Sequence, residues 1–147
     1  IKTVNIGKEK CDTFEFVLDE NSKNPMYGLP ENYLYEPNSA IMKSGGFDEV
    51  SIFYKLKKLH KHSHLYTNSE IIAFPGRVFK IENSFQYHKK EMKIFLDGKQ
   101  FNITTRNFPE TVESIRKKWK IKEGGNQYCF FTTDENDNKI VLICTKI

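Results

Sequence analysis

Three histidines alternate in the run LHKHSHLY: His60, His62 and His64. On a strand, side chains two residues apart share a face, so the three imidazoles would project together. Three such rings could ligate zinc. No cysteine lies near them, however, and Lys57, Lys58 and Lys61 crowd the run. A metal site also needs a supporting shell that so short a segment does not supply. No metal is expected here. The run reads instead as a partly cationic patch that meets phosphate or a partner, or as ordinary surface histidines.

Two dense basic clusters follow the same logic. Lys55, Lys57, Lys58 and Lys61 form one; Arg116, Lys117, Lys118, Lys120 and Lys122 form the other, with Trp119 inside it. Cations interleaved with aromatic residues are the footprint of nucleic-acid binding, because lysine and arginine displace counterions from phosphates. A helix C-terminus also attracts cations with no ligand involved, and Trp119 falls on an apolar helix face where core burial competes with base stacking. Arg77 in FPGR and Arg106 in TTRNFP stand apart, each beside a turn. A guanidinium fixed there offers a two-pronged contact to phosphate, or an ion pair with a carboxylate such as Glu82 or Glu110. The candidate phosphate-binding set is therefore Lys57, Lys58, Lys61, Arg77, Arg106, Arg116, Lys117, Lys118 and Lys120.

Catalytic patterns are missing. The chain has no GxGxxG, P-loop, GxSxG or HExxH sequence. Gly45-Gly46 and Gly124-Gly125 are isolated pairs without the strand–loop–helix frame that cradles a cofactor. No catalytic residue and no cofactor is assigned to this chain.

The charge is unevenly spread. Residues 1–54 carry five lysines against nine acids, net −4; residues 55–147 carry eighteen lysines and arginines against ten acids, net +8. The basic part is the one suited to a polyanion. An apolar content of 38% allows a packed core. No stretch approaches the roughly 20 apolar residues of a membrane span, and no signal-peptide pattern opens the chain. Cys11, Cys129 and Cys144 form no ligand pair and fit reduced thiols, as expected in a cytoplasm. The first residue is Ile1, as expected of a piece of a longer protein.

The elements that must position these residues are partly legible. Ile1, Val4 and Ile6 alternate as in a strand, and residues 11–18 fit either a helix or a strand. Asp19 to Glu31 is a loop and the expected unit boundary. Residues 37–56 have helical spacing, with Pro37 suited to a first turn. Gly45 and Gly46 weaken its middle by about 1 kcal/mol each, predicting a kink or two shorter helices. Residues 64–67 and 71–72 are short extended pieces, and Pro75-Gly76 is a turn. Then come a strand from Arg77, a helix over residues 89–96 stopped by Asp97-Gly98, a strand over 101–105, and a helix over 111–119. The last two runs form a hairpin around residues 134–138. The fold class expected is α+β: a mostly antiparallel sheet with two or three helices, in β-α-β-α-β-β order over the last 70 residues.

Five phrases in order carry a resemblance: YLYEPNSAIMKSGGF, LKKLHKHSHLYTNSE, FPGRVFKI, FNITTRNFPETVESIRKKWKIKEGG and the final hairpin. Together they resemble the THUMP-like C-terminal domain of a class I S-adenosylmethionine-dependent methyltransferase family, best represented in Bacteroidetes. The resemblance implies a domain at 31–147, preceded at 1–30 by the tail of a small ferredoxin-like segment. It implies that catalysis and S-adenosylmethionine binding belong to an upstream domain absent from this chain. By analogy with THUMP domains, the expected partner is RNA, a tRNA or rRNA. The alternative is a structural arm packed on the upstream methyltransferase domain, with Tyr33, Tyr35 and Phe47 as interface anchors.

Overall fold

The computed structural model describes residues 2–6, 11–15 and 24–147. Strands β1 (Lys2–Ile6) and β2 (Cys11–Glu15) pair antiparallel in a small sheet of their own. The open choice at residues 11–18 thus resolves to strand as far as Glu15, and residues 16–18 lie outside those described.

The rest of the chain runs β3 (Tyr33–Pro37), α1 (Ser39–Ser44), α2 (Phe47–Tyr54), β4 (Lys57–Lys58), β5 (Tyr66–Asn68) and β6 (Gly76–Gln86). It continues with α3 (Lys89–Phe95), β7 (Asn102–Thr105), α4 (Val112–Trp119), β8 (Gln127–Thr133) and β9 (Lys139–Lys146). The strands build one seven-stranded sheet in the order β4-β5-β3-β6-β9-β8-β7. Every pair is antiparallel except β7 with β8, which α4 connects as a crossover. The class is α+β, as expected. Among the described residues, four helices replace the expected two or three because the 37–56 segment splits. Gly45, at φ +74°, closes α1 in the left-handed region, and Gly46 opens α2. The first of these helices starts two residues later than Pro37 suggests. Pro37 ends β3, and the Asn38 side chain caps α1 by accepting from the Ile41 N–H at 2.9 Å.

Register decides what faces what. Tyr35 lies opposite Val78 and Leu34 opposite Phe79; Phe131 lies opposite Val141 and Phe130 opposite Leu142. Because strand side chains alternate, Leu34, Phe79, Phe130 and Leu142 share one face with Leu59 and Leu65. The other face carries Tyr35 and Tyr66 under Ile41 of α1 and Val50 of α2. It also carries Phe131 and Val141 under Met92 of α3 and Ile115 and Trp119 of α4. All four helices therefore cover one side. A bulge in β6 between Ile81 and Asn83 switches the parity of that strand. It moves Phe85 to the helix side, where it stacks on Phe95 at 5.0 Å between ring centroids.

The same alternation keeps two thiols apart. Cys129 pairs with Ile143 and Cys144 with Tyr128, so the two cysteines point to opposite faces and are both free and buried. Burial raises the pKa of each. The hairpin between β8 and β9 is closed by Asp134, whose carboxylate accepts from the Asn136 and Asn138 N–H groups at 3.0 Å each. Among the described residues, no helix is long and apolar enough to cross a membrane.

Candidate nucleic-acid interface

α3 and α4 both pack on the Phe131–Val141 part of the sheet, and a cleft of about 530 Å³ opens between them. Its floor is aromatic. Trp119 is buried, and its Nε1–H donates to the Tyr87 hydroxyl at 3.1 Å. The rim is cationic: Lys89 and Lys93 come from α3, Lys118 from the last turn of α4, and Lys120 from its C-cap. His88 and Asp97 complete the lining. The Lys118 ammonium lies 5.8 Å above the Tyr87 ring and 5.6 Å above Trp119, with Glu110 at 3.7 Å.

α4 is well specified locally. The Thr111 hydroxyl accepts from the Ser114 N–H at 3.1 Å, Glu113 sits in the first turn, and Ile115 and Trp119 face the core. Its own dipole accounts for cations in its last turn. It does not account for Lys89 at the start of α3, where a helix disfavours positive charge. It does favour the charge of Lys120 at the C-cap of α4, although that residue holds a left-handed backbone at φ +54° that a residue with a Cβ occupies at a cost of about 1 kcal/mol. Positive charge gathers at this cleft from separate elements.

The other basic residues are placed differently. Lys117 is exposed on α4 but does not line the cleft, and Arg116 turns inward and donates to the Phe101 carbonyl at 3.0 Å. Arg77 and Arg106 converge on one buried carboxylate. Arg77 Nε donates to Glu36 Oε1 at 2.6 Å, and Arg106 Nη2 donates to Glu36 Oε2 at 3.0 Å. The Arg77 guanidinium also lies 5.2 Å from the Phe79 ring centre and 5.6 Å from that of Tyr128. Both arginines thus make ion pairs, but with Glu36 on β3 rather than with Glu82 or Glu110. Lys58 is buried, with its ammonium 2.8 Å from Asp48, and Lys57 is paired with Glu31. Lys61 is exposed on a second pocket of about 610 Å³ that it shares with Tyr27, His60, His62, Glu135 and Asp137.

The three histidines do not lie on a strand. Residues 59–65 form a turn between β4 and β5, which removes the shared face that a three-imidazole site requires. His60 is buried; its Nδ1 accepts from the His62 N–H at 3.0 Å, so Nε2 carries the proton that it donates to Asp137 at 2.6 Å. His64 has φ +55° and stacks on Phe47 at 3.6 Å between ring centroids. Burial first, then the charge of Lys58, lowers its pKa. Among the described residues, no group of three or more His, Cys, Asp or Glu is placed to hold a metal.

Of the aromatic residues named as anchors, Tyr35 is buried and Tyr33 and Phe47 are half-buried. Tyr35 is fully buried; its hydroxyl donates to the Glu70 carbonyl at 2.8 Å and accepts from the Ile72 N–H at 3.1 Å. Tyr33 packs half-buried against the same core, and Phe47 is held by the His64 stack. The glycine pairs do not fit a cofactor cradle either. Gly45-Gly46 joins two helices, and Gly124-Gly125 wraps the Gln100 side chain.

Sequence reasoning missed Tyr87, His88, Lys89 and Lys93. The helix over 89–96 was legible, and its lysines were the available signal, but only the fold brings them opposite Lys118 and Lys120. It also missed Glu36, which lies 41 residues before Arg77 and 70 before Arg106.

Residues 33–75 match the family profile of a ferredoxin-like domain, and residues 76–146 match that of a THUMP domain-like family. The boundary between the two profiles falls at 75/76, whereas the sequence suggested one near residue 30. The chain is also similar to the crystal structure of a provisionally assigned methyltransferase from Porphyromonas gingivalis W83, with a TM-score of 0.86 and 29% identity. The similarity covers 99% of this chain and 37% of that one, so the present chain spans well under half of that protein. No curated protein gives a significant match.

Proposed function

We propose that the chain, which matches a ferredoxin-like model over residues 33–75 and a THUMP-like model over residues 76–146, is the substrate-recruiting region of a class I S-adenosylmethionine-dependent methyltransferase. On this reading it holds RNA, a tRNA or rRNA, by its phosphates. The cofactor and the methyl-transfer chemistry then belong to an upstream catalytic domain of a longer protein, and this part works in the cytoplasm.

One observation carries the reading: four lysines from two helices and a cap surround a single cleft whose lining holds one carboxylate, Asp97. That arrangement concentrates positive potential where a polyanion can approach. Lys117 extends it along the exposed side of α4. Arg77, Arg106 and Lys58 are paired internally and serve the fold first. The structural-arm alternative depends on Tyr33, Tyr35 and Phe47, of which Tyr35 is fully buried and Tyr33 and Phe47 are half-buried.

The test is RNA affinity of the chain carrying Lys117→Ala, Lys118→Ala and Lys120→Ala, with folding checked by circular dichroism. A folded variant that has lost roughly tenfold or more in affinity for every RNA tried supports the reading. Undiminished binding by that variant contradicts it.

A further inference from the structure

The cleft between α3 and α4 is concave, and its two layers differ chemically. The rim is cationic; the floor is the paired rings of Tyr87 and Trp119, with the Lys118 ammonium above both. A volume of about 530 Å³ falls within the range of small-ligand sites, roughly 300–1,000 Å³. A duplex presents a broad convex backbone and keeps its bases stacked inside. It can touch such a rim but cannot reach the floor. A single unstacked nucleotide can do both, because it carries a flat, weakly polar base and an anionic phosphate on one small body.

We infer that this cleft takes one unstacked nucleotide of a single-stranded nucleic acid, with its base toward Tyr87 and Trp119 and its phosphates on Lys89, Lys93 and Lys120. This rests on the RNA-recruiting reading above and narrows it to single-stranded substrate. Cation placement favours the assignment. Lys89 stands at a helix start, against the preference of the helix dipole, and Lys120 joins it on the rim from the left-handed cap of α4. Base–aromatic contact tolerates any base, so the site selects for strandedness rather than sequence. The Lys118 side chain is more than half exposed and lies over the rings, so it can swing from ring to phosphate as the base enters.

Trp119 is the chain's single tryptophan, so its fluorescence reports directly on the cleft. The experiment titrates the whole chain with a labelled single strand of about ten nucleotides, and separately with the blunt duplex of the same sequence. Label anisotropy gives total binding, and Trp119 emission gives cleft occupancy. The expected result is a saturable change in emission with the single strand and none with the bound duplex. The single-strand affinity should also fall about tenfold in the Lys89→Ala, Lys93→Ala variant. Single-strand binding with unchanged emission, or equal emission changes with the duplex, would overturn the nucleotide assignment while leaving RNA recruitment standing. Absence of any nucleic-acid binding at low salt would overturn both.

Discussion

Glu36 is the residue on which two halves of the chain meet. It belongs to β3 in the ferredoxin-like part, and it receives Arg77 and Arg106 from the THUMP-like part. Its side chain is 8% exposed, so removing it leaves two guanidinium groups facing a low-dielectric cavity. Both arginines are about one-third exposed, which screens part of that penalty. Replacing Glu36 with Ala is expected to lower stability by about 2–3 kcal/mol, read as a shift in the urea midpoint. A midpoint equal to that of the parent would mean that the triad is incidental to the fold. A second residue-scale prediction concerns alkaline pH. Burial pushes the Tyr87 hydroxyl from its ordinary 10 up to about 12. The unfolded chain ionises this phenol first, so stability present below pH 10 is lost as pH rises toward 12. Urea midpoints at pH 9 and pH 11 should therefore differ less in Tyr87→Phe than in the parent.

At the scale of elements, local signals explain what was legible beforehand. The last hairpin showed as two β-favouring runs around an Asp/Asn turn. α4 showed through Thr111, the acid near its start and the spacing of Ile115 and Trp119. β3 was not legible, because YLYEP is flanked by loop signals and its apolar residues serve both faces of the sheet: Leu34 one, Tyr35 the other. The bulge in β6 was not legible either, since it depends on the partner strand. The basic half of the site could be read from α4, but its other half on α3 became visible only once the sheet set the two helices together. The strained cap of α4 gives a prediction at this scale. Gly in place of Lys120 relieves the left-handed backbone, so Lys120→Gly should gain about 0.5–1 kcal/mol in thermal or urea unfolding. The same change removes a rim cation and should weaken RNA binding. A variant that binds more weakly yet is no more stable would show that the cap is not strained.

At the scale of the molecule, the two family-named parts are not separate beads. β3 and β5 of one pair into the same sheet as β6, β8 and β9 of the other. The seam is reinforced where Ser63 donates to the Thr133 carbonyl at 2.7 Å and His60 meets Asp137. Such a sheet holds the α3–α4 cleft at a fixed position relative to the strands of the ferredoxin-like part. That is what a recruiting region needs if it is to present a substrate to a catalytic domain at constant geometry.

The measurement that bears most directly on the central claim is the affinity of the chain for tRNA and rRNA fragments across a salt series. Each phosphate neutralised on a single strand contributes roughly −0.7 to the slope of log affinity against log salt. The four rim lysines predict micromolar or tighter binding at low salt, with a slope of about −3 that flattens when they are replaced by Ala. Absence of binding even at low salt would contradict the account, as would binding whose slope is indifferent to those four residues.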